Sequence, residues 1–165
     1  MRNEPLEVRL LELLRNHGRL SPDQIGSRLG IPADEAAAMV TKLEESHAIL
    51  GYQAVVDHEA LGMNRVEAIV EAKVNLSGAH SFDDVAHRVC EFPEVASLYL
   101  SSGEADFVLL VEGRQLSDIS KFLTEKLTTI PEITSTTSHF VLKKYKKEGV
   151  MVMGGNPENR LAVTP

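Results

Sequence analysis

Tryptophan is absent from this 165-residue chain, cysteine occurs once, and aromatic residues make up only 5%. No apolar run approaches the ~20 residues that a membrane helix needs. The opening Met1-Arg2-Asn3-Glu4-Pro5 is not followed by the apolar stretch of a secretory signal, so none is expected. Cys90, alone, can neither staple the fold nor supply a thiolate metal cage, which fits a reducing compartment. Next to Val89 on a helix with an apolar face, it is expected in the core or at its boundary. Positive charge is also scarce: 17 Lys and Arg stand against 24 Asp and Glu, a formal charge of −7. That balance argues against indiscriminate nucleic-acid binding. What is present, 43% hydrophobic and 25% charged residues, belongs to a globular chain and excludes general disorder. The length allows one ordinary domain or two small ones.

The hydrophobic period divides the chain. Residues 1 to about 50 read as helices. Leu6, Leu10, Leu13 and Leu14 form one helical stripe, and Gly18 is expected just past its end at positive φ. Ser21-Pro22-Asp23-Gln24 is a capping box that opens a short helix burying Ile25 and Leu29 and breaking at Gly30. A third helix starts near Pro32, with Ala36, Val40 and Leu43 on one face. Helices this short must share a core. The tight Leu29-Gly30-Ile31-Pro32 joint suits a helix-turn-helix, although a plain three-helix bundle fits the same pattern. Ile49-Leu50-Gly51-Tyr52 then opens an extended linker.

Past Gly62 the period becomes two. Val66, Ala68, Val70, Ala72 and Val74 alternate with Glu67, Glu71 and Lys73, the pattern of a half-buried strand. Ser81 caps a helix that turns Phe82, Val85, Ala86 and Val89 inward. Strands follow over Val95 to about Ser101 and Phe107–Val111, then a helix with Ile119, Phe122, Leu123 and Leu127 inside, then a long strand from Ile133 to about Tyr145. Phe92-Pro93-Glu94-Val95 and Ile130-Pro131-Glu132-Ile133 echo one another where a helix gives way to a strand. Two right-handed βαβ units give a ferredoxin-like βαββαβ sandwich with both helices on one face. The uncovered face and the long last strand favour self-association.

Taken together, Arg19-Leu20-Ser21, Leu43-Glu44-Glu45, Ile49-Leu50-Gly51-Tyr52, Leu61-Gly62, Ser101-Ser102-Gly103-Glu104-Ala105-Asp106-Phe107 and Thr136 to Lys143 resemble the Lrp/AsnC family of transcription regulators, in register over about residues 4 to 150. The resemblance implies an α+β chain: a winged helix-turn-helix domain over 1–51, a strand linker over 52–62, and a ferredoxin-like (RAM-type) sensing and oligomerisation domain over 63–148. The tail over 149–165, with Gly154-Gly155-Asn156-Pro157 and no periodicity, is expected to be mobile beyond about Met153. The resemblance also implies double-stranded DNA as partner, an amino-acid effector, homodimers assembling further, often to octamers, a bacterial or archaeal cytoplasm, and no cofactor.

The resemblance places DNA reading on Arg19, Ser21, Arg28, Ala33, Asp34, Ala37, Ala38, Thr41 and Lys42. Where the family usually carries arginines, Met39, Thr41 and Lys42 stand. Residues 1–62 hold 6 basic and 10 acidic side chains, a deficit in phosphate attraction. Asp34 and Glu35 favour the helix N-terminus through its dipole, or else read cytosine amines. An amino acid needs an anion for its ammonium and N–H or hydroxyl donors for its carboxylate. Asp106 or Glu104 supplies the first, and Gly103, Ser101, Ser102, Thr136 and Ser138 the rest, at an interface between dimers. Ser138 replaces the more usual Thr. Gly103 to Asp106 also reads as a plain β-turn. Lys143, Lys144, Lys146 and Lys147 read as a solvated strand end or as a DNA contact. The six histidines are scattered, no nucleophile–base pair stands out, and neither a metal site nor catalysis is expected. A ligand-binding module with weakened DNA binding, or a decarboxylase-like enzyme on the same architecture, are the rival readings.

Overall fold

The computed structural model describes residues 4–76 and 80–152, and the expectation of a mobile end beyond Met153 lies outside them. The chain divides into two compact units, Met1–Val56 and Asp57–Pro165.

The first unit holds α1 (Leu6–Asn16), α2 (Pro22–Leu29) and α3 (Ala33–Glu45). Leu10, Leu14, Ile25, Ala36 and Leu43 form its shared core, with Leu13, Leu29, Met39 and Val40 packed around it. Fully burying one such leucine is worth roughly 1.5–3 kcal/mol, which is how helices too short to persist alone hold together. Two expectations need correction. Gly18 is not among the glycines at positive φ; the first helix ends instead at His17, whose N–H donates to the Leu13 carbonyl. Residues 50–57 form no ladder, and Glu59–Leu61 is a short 3-10 turn, so neither the wing nor the strand over 52–62 appears among the described residues. An extended segment with no partner strand inside its own chain has nothing to pair with.

The second unit is a four-stranded antiparallel sheet in the order β2-β3-β1-β4, with β1 at Val66–Val74, β2 at Val95–Leu100, β3 at Phe107–Gly113 and β4 at Ile133–Phe140. Two helices cross on one face: α4 (Phe82–Cys90) and α5 (Leu116–Lys121), the latter running on as a π turn (Phe122–Lys126) and a 3-10 turn (Leu127–Thr129). Ala68, Val70, Ala72, Phe107, Leu109 and Val111 meet Val85, Val89, Ile119, Phe122 and Leu127 between the layers. The π turn explains the step of five from Phe122 to Leu127, since a regular helix would turn Lys126 inward instead. Cys90 is exposed rather than in the core, because Val89 fills the buried position and the next residue lies about 100° further round the helix.

The sequence echo has a structural counterpart. Lys126 of the second βαβ unit pairs with Glu94 of the first at 2.5 Å, and Arg88 of the first pairs with Glu132 of the second at 2.7 Å. The same two segments receive matching ladder bonds, Glu112 N–H to the Glu94 carbonyl and Asn75 N–H to the Glu132 carbonyl. Each half therefore fastens the other. The Arg88 guanidinium beside Glu132 holds its carboxyl below the ordinary range, outweighing the burial that opposes its charge.

The last strand stops at Phe140, short of Tyr145. Phe140 already faces Ala68, so further residues run off the start of β1. Val141 N–H still reaches the Glu67 carbonyl, and the chain then turns into a small hairpin of β5 (Lys146–Lys147) and β6 (Val150–Met151).

Candidate DNA-reading helix and effector turn

The α2–α3 joint is fixed by local chemistry. Ser21 Oγ accepts from Gln24 N–H at 3.3 Å while Gln24 Oε1 accepts from Ser21 N–H at 3.0 Å, closing the expected capping box. Gly30 ends α2 at φ 77°, in the left-handed region where a Cβ is penalised. The Gly26 carbonyl accepts from both Gly30 N–H and Ile31 N–H, at 2.8 and 3.0 Å. A Cβ on Gly26 would lie 2.6 Å from the Ile31 carbonyl oxygen, so this glycine lets the joint close. Pro32 precedes α3 without a side-chain cap, leaving Asp34 and Glu35 in the first turn to complement the dipole.

Of the residues expected to read DNA, Asp34, Ala38, Thr41 and Lys42 lie on α3 with Ala33 and Ala37. Asp34, Thr41 and Lys42 are exposed there. Met39 packs against the core instead of facing outward. Thr41 Oγ1 donates to the Ala37 carbonyl at 3.2 Å. Lys42, the one cation of α3, donates to Glu7 of α1 at 2.7 Å; this raises its pKa and neutralises it locally, but the pair is exposed and a phosphate can replace it. Arg19 and Ser21 are exposed at the entry to α2. Arg28 is not drawn toward α3: it lines a cleft of about 450 Å³ with Leu29 and with residues on and beside α1, among them Arg9, Glu12 and His17.

In the second unit, the turn between β2 and β3 carries the expected effector residues. Ser102, Gly103 and Glu104 are exposed, and Ser101 Oγ accepts from Gly103 N–H at 3.2 Å. Glu104 pairs with Lys73 at 3.5 Å. Asp106 has a structural duty with no local signal in the sequence. Its Oδ2 accepts from Val74 N–H at 2.8 Å, its own N–H donates to the Ala72 carbonyl, and its carbonyl accepts from Ser101 N–H. The ladder of β1 shifts register between Lys73 and Val74, so Asp106 satisfies an amide that the irregular ladder leaves over. Thr136 lies opposite Ala72 and Ser138 opposite Val70 on the edge strand, both half-buried. Ala72 in turn faces Phe107. Thr136 and the end of the turn therefore flank the C-terminal end of β1 from its two sides, about 10 Å apart at two strand spacings. Ser138 sits one pleat further along.

Glu67 and its lysines form a partnership that the strand pattern hides. Read as solvent-facing, Glu67 is 5% exposed. Lys144 and Lys147 donate to it, the latter at 3.4 Å, and Lys147 also reaches Glu112 at 3.6 Å. Burial pushes its carboxyl up, but the hydrogen bond and charge of Lys144, with the charge of Lys147, outweigh that and hold it low. Among the described residues no cluster of His, Cys, Asp or Glu is arranged to hold a metal, and no helix is long and apolar enough to cross a membrane.

A helix-turn-helix head followed by a βαββαβ body joins the helical motif by which many proteins enter the major groove to a ferredoxin-like sandwich. The model of the Lrp/AsnC ligand binding domain matches residues 67–151. An HTH-type transcriptional regulator of Bacillus subtilis, YugG, is 36% identical over 96% of both chains. The Bkd operon transcriptional regulator of Pseudomonas aeruginosa is 30% identical, covering 84% of this chain and 90% of its own. A crystal structure of a transcriptional regulator from Neisseria meningitidis in complex with L-Met shares the fold at 22% identity, with a TM-score of 0.72 over 87% of this chain and 92% of that one. The chain belongs to the Lrp/AsnC family of transcriptional regulators, and its second unit is the ligand-binding RAM domain of that family. These relatives are regulators, not enzymes.

Proposed function

We propose that this regulator binds operator DNA in the cytoplasm through the exposed face of α3, and that a free amino acid bound against the 101–106 turn and the edge strand controls it. The observation that carries the effector reading is Gly103. Its φ lies outside the left-handed region, and a Cβ there would meet only Ser101 Oγ, at 3.4 Å. Nothing among the described residues needs glycine at this place, whereas a ligand or a second copy approaching the backbone does. The charges suit a zwitterion: Lys73 for a carboxylate, Glu104 and the second oxygen of Asp106 for an ammonium, with the Thr136 and Ser138 hydroxyls on the edge strand across β1. Bound L-Met in the Neisseria regulator agrees with this class of ligand. The uncovered sheet face, with Ile69 and Tyr99 exposed, supports association of copies. A ligand completed by two copies then shifts the assembly it binds best.

A thermal-shift screen of the proteinogenic amino acids, followed by calorimetry on Asp106→Asn, tests the site. Asparagine can still accept from Val74 N–H, so the fold is expected to stay while amino-acid affinity falls at least tenfold. Unchanged affinity removes Asp106 from the site.

A further inference from the structure

The body of this protein is electrically lopsided. Register places the start of β1, the end of β3 and the end of β4 at one end of the sheet: Val66 faces Gly113 and Ala68 faces Phe140. Six cations gather there, Arg65, Arg114, Lys143, Lys144, Lys146 and Lys147, against the carboxylates of Glu67, Glu112 and Glu148. Glu94, on the far strand at this end, is matched by Lys126. The effector turn, with Glu104 and Asp106, lies at the opposite end, about 25–30 Å away along β1.

The basic end is built rather than incidental. Lys144 and Lys147 are engaged by the buried Glu67, which fixes the chain after β4 onto the sheet, and Arg65 is engaged by Glu112 at 2.5 Å. That anchoring leaves Lys143, Lys146 and Arg114 exposed, with no ion pair among the described residues. Lys143 is held 5.0 Å above the Tyr145 ring, which orients its ammonium. Lysines serving only to keep a strand edge from aggregating need no such fastening.

We infer that the basic end of the body, through Lys143, Lys146 and Arg114, contacts the phosphate backbone of the DNA that the head reads. This rests on the DNA-binding reading and supplies cations that the head is short of, since residues 1–56 carry 6 basic against 8 acidic side chains. Phosphate neutralisation adds affinity without sequence preference, so the body sets how tightly the protein binds and α3 sets where.

The test compares full-length wild type, Lys143→Gln/Lys146→Gln, Arg114→Gln and the control Lys121→Glu on α5, whose charge change equals that of the double variant. Each is titrated with a mixed-sequence duplex between ~50 and ~200 mM salt. The log–log salt slope is expected to fall by about 0.9 for each phosphate no longer neutralised, nearly two for the double variant, with Lys121→Glu unchanged. Slopes equal to wild type in both patch variants, or an equal fall in Lys121→Glu, overturn the inference while leaving DNA binding by the head intact. Wild type that ignores DNA even at the lowest salt overturns both.

Discussion

The Gly26→Ala substitution sets two effects of opposite sign against each other in the head. Alanine in place of glycine inside a helix is worth about 1 kcal/mol. Here the new methyl would lie 2.6 Å from the Ile31 carbonyl oxygen, with Ala33 N and Pro32 C both at 3.4 Å. All three are backbone atoms, so no side chain can swing aside. Forcing such an overlap costs about 1–3 kcal/mol, and moving the joint also weakens the two bonds into the Gly26 carbonyl, each worth about 1 kcal/mol. The clash wins, with a net destabilisation of roughly 1–3 kcal/mol. Native-state hydrogen exchange reads it directly: amides of α2 and α3 should lose about one to two orders of magnitude of protection while those of β1 and β3 keep theirs. DNA affinity should fall too, because the start of α3 moves. Protection in α2 equal to or above wild type would refute the reasoning, since propensity would then have outweighed the close approach.

Three further outcomes follow from the same geometry. Ser21→Ala removes the α2 cap and should lower head stability by about 1 kcal/mol; a change within error in urea unfolding would mean that the cap carries no weight. Asp106→Ala leaves Val74 N–H without its acceptor and should cost the body about 1–3 kcal/mol, unlike Asp106→Asn, and equal melting of the two variants would contradict the bulge-pinning role. Glu67 and Glu132 have folded pKa values held below the unfolded ones, so their stabilisation is complete above the ordinary Glu value of about 4.3 and is lost as pH falls through the depressed values. Glu67→Gln should therefore lose stability at pH 7 yet lose less than wild type on acidification, and parallel pH profiles would exclude Glu67 as a titrating contributor.

What the sequence disclosed and what it withheld divide along a physical line. The apolar periods of α1 and β1, the capping residues Ser21 and Ser81, and the paired Pro-Glu signals ahead of β2 and β4 act within one or two turns or strands. They were enough for both units and for the side on which the helices lie. Partnerships across the fold left no local trace. Glu67 alternates like a solvent-facing strand residue, and only lysines nearly eighty positions later bury it. Lys42 looks free until Glu7 of another helix meets it. Asp106 and Gly103 look alike as turn formers, yet one pins β1 and nothing among the described residues requires the other to be glycine. The linker read as a strand because its composition is that of one, but a ladder needs a partner that a single chain does not supply.

Coupling between head and body is tested most directly by titrating operator-containing DNA with the full chain, with and without a saturating amino acid chosen from the thermal screen. A linked pair of sites predicts a shift in DNA affinity of about 5- to 150-fold and, by reciprocity, the same factor in amino-acid affinity when DNA is bound. Identical DNA affinity with and without the bound amino acid would contradict it.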